Sequence, residues 1–325
     1  MREVSSPAEQ TRASAATGPR RRPLVEFGGR LVREKPLGAL GGVVVLVFLF
    51  TGIFAPLLAP DGVNEPHPSD RLSPPSAQYI LGTDTLGRDM LSRVIYGARI
   101  SMVVGVFATL LSVAVSLLIG IPSAFLGGKY DILMQRFVDA WMCFPDILIL
   151  ITIMSIVGPG IGQVIVIVGL HMGITTSRVI RGAVLGIKQQ VYVQAADAIG
   201  CRLWRIFTRH LLPNIMPAVL IIVSIRMGSV ILLEATLSFL GFGVPPPEPS
   251  WGGMLSRTGR KYLFLAPGLA LWPGLALGAV IYGVNMFGDA VRDLLDPRLR
   301  GGAGSYAGME TKRTAILAGK AAVQK

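Results

Sequence analysis

The chain has 325 residues, of which 51% are hydrophobic and only 15% charged, with a mean hydropathy of +0.58; an ordinary soluble domain is not built from so apolar a mixture. Its formal net charge of +12 does not argue for nucleic acid, because the basic residues flank apolar runs instead of forming a polar domain. Uncharged stretches of roughly 20 residues recur, long enough to cross a hydrocarbon core of about 30 Å, so the composition predicts an all-α integral membrane protein with about six transmembrane helices, its apolar faces against the lipid bilayer.

Residues 1–36 carry Arg2, Arg12, Arg20, Arg21, Arg22, Arg30, Arg33 and Lys35 and too little apolar surface to fold alone. They read as a disordered basic tail that holds the N-terminus in the cytoplasm. The apolar run that follows is too long for a cleavable signal peptide and no small-residue cleavage pattern closes it.

A membrane-embedded region is expected over 37–300. Its first span runs from about Leu37 to Leu58 and ends near Pro56 and Pro60. An external loop follows over 60–99, opening with the Pro-rich stretch Pro66 to Pro75. There Thr83, Asp84 and Thr85 offer caps for a short interfacial helix over Arg88 to Ile95. The second span covers about Ile100 to Gly127, and Lys129 with Arg136 marks the return to the cytoplasm. The third, about Phe137 to Val157, contains Asp139, Pro145 and Asp146, so its inner half is expected to kink or to face protein. A turn at Gly158-Pro159-Gly160 leads to the fourth span, about Ile161 to Val184, with Arg178 and Arg181 at its cytoplasmic end.

A cytoplasmic segment over 186–213 comes next. Ala195, Ile199, Leu203, Ile206 and His210 recur at helical spacing beside a basic stripe of Arg202, Arg205 and Arg209. This predicts an amphipathic helix at the inner surface, broken near Gly200 and stopped by Pro213. On spacing alone, a helix held in the headgroup region by anionic lipid accounts for it. The fifth span, about Ile215 to Phe242, carries Arg226 and Glu234 eight residues apart. They are candidates to line a polar path, against the plainer readings of a structural pair or a Glu near the outer interface. For Asp139 and Asp146 the plainer reading is helix-end solvation on the inner side. The sixth span runs from about Leu263 to Phe287. Its paired Pro-Gly-Leu-Ala-Leu sequences at 267–271 and 273–277 lie too close for a structural repeat and read as kinks and close-packing points. Arg292, Arg298 and Arg300 put the C-terminus inside, and 301–325 reads as a disordered tail.

His171 is alone in its span, while His67 and His210 fall on opposite sides of the membrane, so no metal site is expected. Cys143 and Cys201 are expected to be reduced. No phosphate-cradling G-x-x-x-x-G-K-[ST], nucleophile elbow or His-Glu-x-x-His pair occurs. Neither a catalytic residue nor a cofactor site is expected in this chain, and any ATP is expected on a partner.

Gln194-Ala195-Ala196, three residues, Gly200, nine residues, then a run ending Leu212-Pro213 resembles the Glu-Ala-Ala loop of permeases of ATP-binding-cassette (ABC) importers. Three further stretches resemble the second permease of the dipeptide and oligopeptide branch: Leu81 to Asp89, Leu237 to Gly243 after Glu234, and Gly288 to Arg298. The resemblance covers roughly 35–300. It implies a type I ABC importer transmembrane domain in the bacterial cytoplasmic (inner) membrane. The partners it implies are a homologous permease subunit, two ATPase subunits and an extracytoplasmic peptide-binding protein. The first helix of the loop, with Gln194, Ala195, Ala196, Asp197, Gly200 and Pro213, would dock on the ATPase and couple its closure to translocation of di- and oligopeptides. Gln194 stands where the family has Glu and cannot supply its charge; Asp197, on a neighbouring helix face, is expected to replace part of it. Nickel, an opine or an oligosaccharide remains open as cargo. A secondary transporter driven by an ion gradient would need a midplane ion site and repeated broken helices.

Overall fold

A computed structural model describes residues 23–295. Arg298, Arg300, the expected tail over 301–325 and the arm up to residue 22 lie outside the described residues.

Part of the segment expected to be disordered is helical. Helix α1, Pro23–Glu34, forms because Leu24, Phe27 and Leu31 recur at spacings of three and four, and Leu31 packs with Ala290 and Leu294. Helix α2, Pro36–Ile53, starts on a proline, where the missing N–H is not needed. Leu40, Val43, Leu46, Val47 and Phe50 are exposed along it, as a lipid-facing span requires.

The expected interfacial helix is instead the first part of α3, Met90–Leu126, which runs 37 residues without a break. Its cap is Asp89, whose Oδ2 accepts from the Ser92 backbone N–H at 2.7 Å. No proline interrupts it before Pro122. At about 1.5 Å per residue it is roughly 55 Å long and extends past a hydrocarbon core.

The third span is broken. Helix α4, Gly128–Met142, and helix α5, Asp146–Val157, meet at 87° across Cys143 to Pro145, where Pro145 removes a backbone donor and disfavours helix before it. Helix α6, Ile161–Lys188, follows. Short α7, Val191–Ala198, and a helical stretch over 203–211, π-type from Phe207 to Leu211, lead into α8, Leu212–Phe239. Pro213 does not stop a helix: the helix is continuous from Trp204 to Phe239, and the wider π-type turn over Phe207–Leu211 directly precedes the proline. The sixth span, α9, covers Gly268–Leu295 and starts later than Leu263 because Pro267 biases the residue before it away from helix. Among the described residues, five helical stretches are long and apolar enough to cross a membrane, or six when the bent α4–α5 pair is counted as one span.

Helices α3 and α6 form the most extensive helix pair among the described residues. A Cβ on Gly120 would lie 2.6 Å from the Ser177 carbonyl oxygen, so only glycine permits this approach. Ser112, Ser116, Thr176 and Ser177 are buried along the same seam. Around it, Val113, Ile121, Ile180, Val184, Ile215 and Val219 form one core, and Val104, Leu150, Val164, Val168 and Val230 another towards the opposite end.

Candidate functional site

The segment singled out by sequence turns on Gly200. Helix α7 closes with the Gly200 N–H donating to the Asp197 carbonyl at 2.9 Å and the Cys201 N–H to the Ala196 carbonyl at 3.1 Å. This double bond pattern needs a left-handed residue at Gly200, which has φ +73°. The break expected there is thus a built turn.

The apolar face differs from the one that spacing predicted. Val193 and Ala196 are buried and pack with Phe125, Ile180 and Val184, whereas Ile199 is 79% exposed and Ala195 faces solvent. The cause is the turn at Gly200, which breaks the helical register on its two sides. Val191, Ile199 and Trp204 consequently present a bare apolar surface at 80%, 79% and 75% exposure. Arg202, Arg205 and Arg209 are exposed, as the basic stripe required. Gln194 is exposed, its Nε2 donating to the Gln189 carbonyl at 3.3 Å, and Asp197 stands exposed one turn on. Pro213 is exposed two turns beyond Ile206. Gln194, Ala195 and Asp197 thus stand exposed between the apolar rim of Val191, Ile199 and Trp204 and the basic flank, while Ala196 is turned into the core.

Behind this surface, ion pairs that the sequence did not reveal tie the spans together. Arg181 donates from Nε and Nη2 to the two oxygens of Asp131 at 2.7 and 2.6 Å, and Ser123 adds a bond to the same carboxylate at 2.5 Å. Arg178 pairs with Asp139, which Arg136 also approaches at 3.5 Å. Lys188 Nζ caps the end of α3 at the Phe125 carbonyl, 2.7 Å away. Arg178 and Arg181 read from sequence only as positive flanks; the acids that meet them lie 39 and 50 residues away. Lys35 and Asp293 likewise join α2 to α9 at 2.6 Å.

Glu234 and Arg226 do not pair. Eight residues of helix separate them by about 12 Å. Glu234 is fully buried, accepting from Ser101 Oγ at 3.2 Å and Ser238 Oγ at 2.8 Å. It reaches no open surface of this chain, so the path-lining reading is corrected for Glu234: its carboxyl joins α3 to α8. Arg226 is half-buried, with Nη1 3.7 Å from Met172 Sδ and no ion pair among the described residues. His171 is buried, and its Nδ1 accepts from Trp141 Nε1 at 3.1 Å. Asp146 lies at the bend between α4 and α5 with its Oδ1 3.3 Å from His171 Nε2.

At the opposite end, Leu81 to Asp89 fold into a compact knot. Asp84 accepts from the backbone N–H groups of Leu86 and Arg88 and from Arg88 Nε at 2.7 Å, and lies 3.5 Å from Arg93. Thr83 bonds the Asp70 carbonyl, and Tyr79 donates to the Asp70 carboxylate at 2.9 Å, a bond that holds the phenol's pKa above its usual value. Asp61, Glu65 and His67 draw together in the same loop, with His67 bonded to Asp61 at 3.1 Å. The knot, with Val244 to Ser250 of the loop after α8, walls a pocket floored by Ser238. Cys143 and Cys201 are both free thiols.

Residues 116–301 match the family described as binding-protein-dependent transport system inner membrane component. Among curated proteins, the chain is 35% identical over 269 residues to the dipeptide transport system permease protein DppC of Alkalihalophilus pseudofirmus, covering 83% of this chain and 88% of that one. It is 36% identical over 282 residues to the glutathione transport system permease protein GsiD of Escherichia coli, covering 86% and 92%. It is 35% identical over 300 residues to a putative peptide transport system permease protein of Brucella suis, covering 92% and 99%.

Proposed function

The chain belongs to the family of binding-protein-dependent transport system inner membrane components, and from that membership we propose that it is one of the two permease subunits of an ATP-driven importer of di- and oligopeptides. The observation that carries the cargo is that the relatives named for dipeptide, glutathione and peptide transport align with 83% to 92% of this chain. In this reading the chain and a homologous permease enclose the path, two ATPase subunits bind ATP beneath it, and a peptide-binding protein delivers cargo from outside. The chain itself holds no cofactor. Both termini and the 189–211 segment lie in the cytoplasm, consistent with the exposed Arg202, Arg205 and Arg209.

The bare surface of Val191, Ile199 and Trp204, with Gln194 and Asp197 beside it, is the docking face for the ATPase. Closure of the ATPase dimer on ATP pulls α7, and the path opens outward to accept peptide; hydrolysis resets it. Asp197 supplies the negative charge that Gln194 lacks. Asp197→Asn is expected to lower peptide-stimulated ATP hydrolysis about fivefold in the purified assembly, and an unchanged rate removes Asp197 from the docking face.

The test of the whole reading is gentle purification from the native membrane, identification of what accompanies the chain by mass spectrometry, and assay of ATP hydrolysis. A second permease and ATPase subunits, stimulated by peptide-loaded binding protein, is the expected outcome. Stimulation by a nickel-, opine- or oligosaccharide-loaded binding protein instead would keep the machine and change its cargo. A chain isolated alone that transports without ATP would return the ion-coupled reading.

A further inference from the structure

The bend in the third span leaves a charged group in an unusual place. Asp146 is 58% exposed, and Cys143, Phe144 and Pro145 beside it are exposed as well. Counted along α5 at about 1.5 Å per residue, Asp146 sits on the order of 16 Å from the turn at 158–160; His171 lies about 15 Å along α6 and Arg226 about 20 Å along α8 from the same end. All three therefore lie near the middle of a hydrocarbon core about 30 Å thick. Opened backbone and an exposed carboxylate survive at that depth only against protein or a water-filled cavity. This face of the chain therefore turns away from lipid.

Behind the bend, the polar groups are arranged and incompletely used. His171 is 99% buried, and because its Nδ1 accepts from Trp141, its proton is on Nε2. That nitrogen points to Asp146 at 3.3 Å without the alignment of a hydrogen bond and has no other partner. Arg226 Nη1 lies 3.7 Å from Sδ of Met172, the residue after His171, and makes no ion pair of its own among the described residues. A carboxylate and a guanidinium thus flank the same turn of α6, each with capacity for a counter-charge.

We propose that Asp146 and Arg226 form a two-charge waypoint of the translocation path that takes the free ends of a zwitterionic peptide, the ammonium at Asp146 and the carboxylate at Arg226. The proposal rests on the peptide-importer reading and adds to it the place and the chemistry of contact.

The test uses the assembled importer in vesicles. Cys143, three residues from Asp146, serves as a native probe: a charged, membrane-impermeant methanethiosulfonate is expected to label it in the folded assembly, with site-resolved mass spectrometry as the readout. Labelling that appears only after unfolding in dodecyl sulfate would show that the bend faces lipid or sealed protein and would overturn the proposal. In parallel, Asp146→Asn and Arg226→Gln are each expected to lower peptide moved per ATP hydrolysed about tenfold. Asp146→Glu and Arg226→Lys, which keep the charges, are expected to retain most transport. Equal loss in the charge-keeping and charge-removing variants, or no loss in either, would overturn it while the peptide reading stands. A wild-type assembly that moves no peptide ends both readings together.

Discussion

Glu234 illustrates how a buried charge-bearing residue serves structure in this chain. Its two oxygens take one hydroxyl from α3 and one from α8, and Ser238 Oγ in turn accepts from the Val244 N–H at 3.2 Å, so one side chain binds two helices and the loop after them. Removing it strands two buried hydroxyls and leaves a void. Glu234→Ala is expected to destabilise the assembly by about 2–4 kcal/mol, read as a lower Tm in detergent, with cargo preference unaltered. Glu234→Gln can accept from one serine and donate to the other and is expected to fall within about 1 kcal/mol of the parent. Near-equal losses in the two variants would mean that the carboxyl does more than bridge. Sequence marked Glu234 as unusual for its depth in an apolar span, yet the hydroxyls that satisfy it sit 133 residues upstream and four downstream. Burial among long-range partners is not written in local spacing.

Among the elements, those defined by local chemistry were legible and those defined by contact were not. The Gly200 turn, the kink at Pro145 and the apolar spans each follow from residues within a few positions. The exposure of Ile199 does not, because a left-handed glycine uncouples the periodicity on its two sides. Nor does the continuity of α3 through the expected interfacial helix, which depends on Asp89 being the cap while Thr83 and Asp84 are consumed by the loop knot. The docking element is accordingly sensitive at its hinge. Gly200→Ala places a Cβ in a left-handed conformation that costs about 1–2 kcal/mol. The side chain itself meets open space, so the expected effect is a reoriented α7 with reduced ATPase binding and little loss of overall stability. Gly120→Ala acts in the opposite way: its Cβ runs into the Ser177 backbone, and a loss of about 1–3 kcal/mol in stability is expected, with docking intact. Co-purified ATPase and Tm, measured on both variants, separate the two effects.

At the scale of the whole molecule, motion of a short surface helix matters only if it reaches the spans, and the ion pairs behind α7 are the means. Val193 and Ala196 pack α7 on α3 and α6, Lys188 fastens the end of α6 to the carbonyls of α3, and Asp131 with Arg181 fastens α4 to α6. The bidentate pair is held by two bonds in one plane, a geometry that resists rotation where a single contact would pivot. In the proposed docking reading, helices α3, α4 and α6 would move together when α7 is pulled, and the bend at 143–145 would absorb that movement before α5. Arg181→Ala breaks this linkage without touching the docking face. It is expected to leave ATPase subunits bound and hydrolysing while peptide uptake per ATP falls severalfold, and Arg181→Lys, which cannot reproduce the fork, is expected to fall between. The exchange Asp131→Arg with Arg181→Asp rebuilds the pair in reverse. Recovery of transport in the exchanged protein over either single change, by an interaction energy on the order of 0.5–3 kcal/mol, identifies the pair as the linkage; independent, additive losses would assign the two residues to local stability alone.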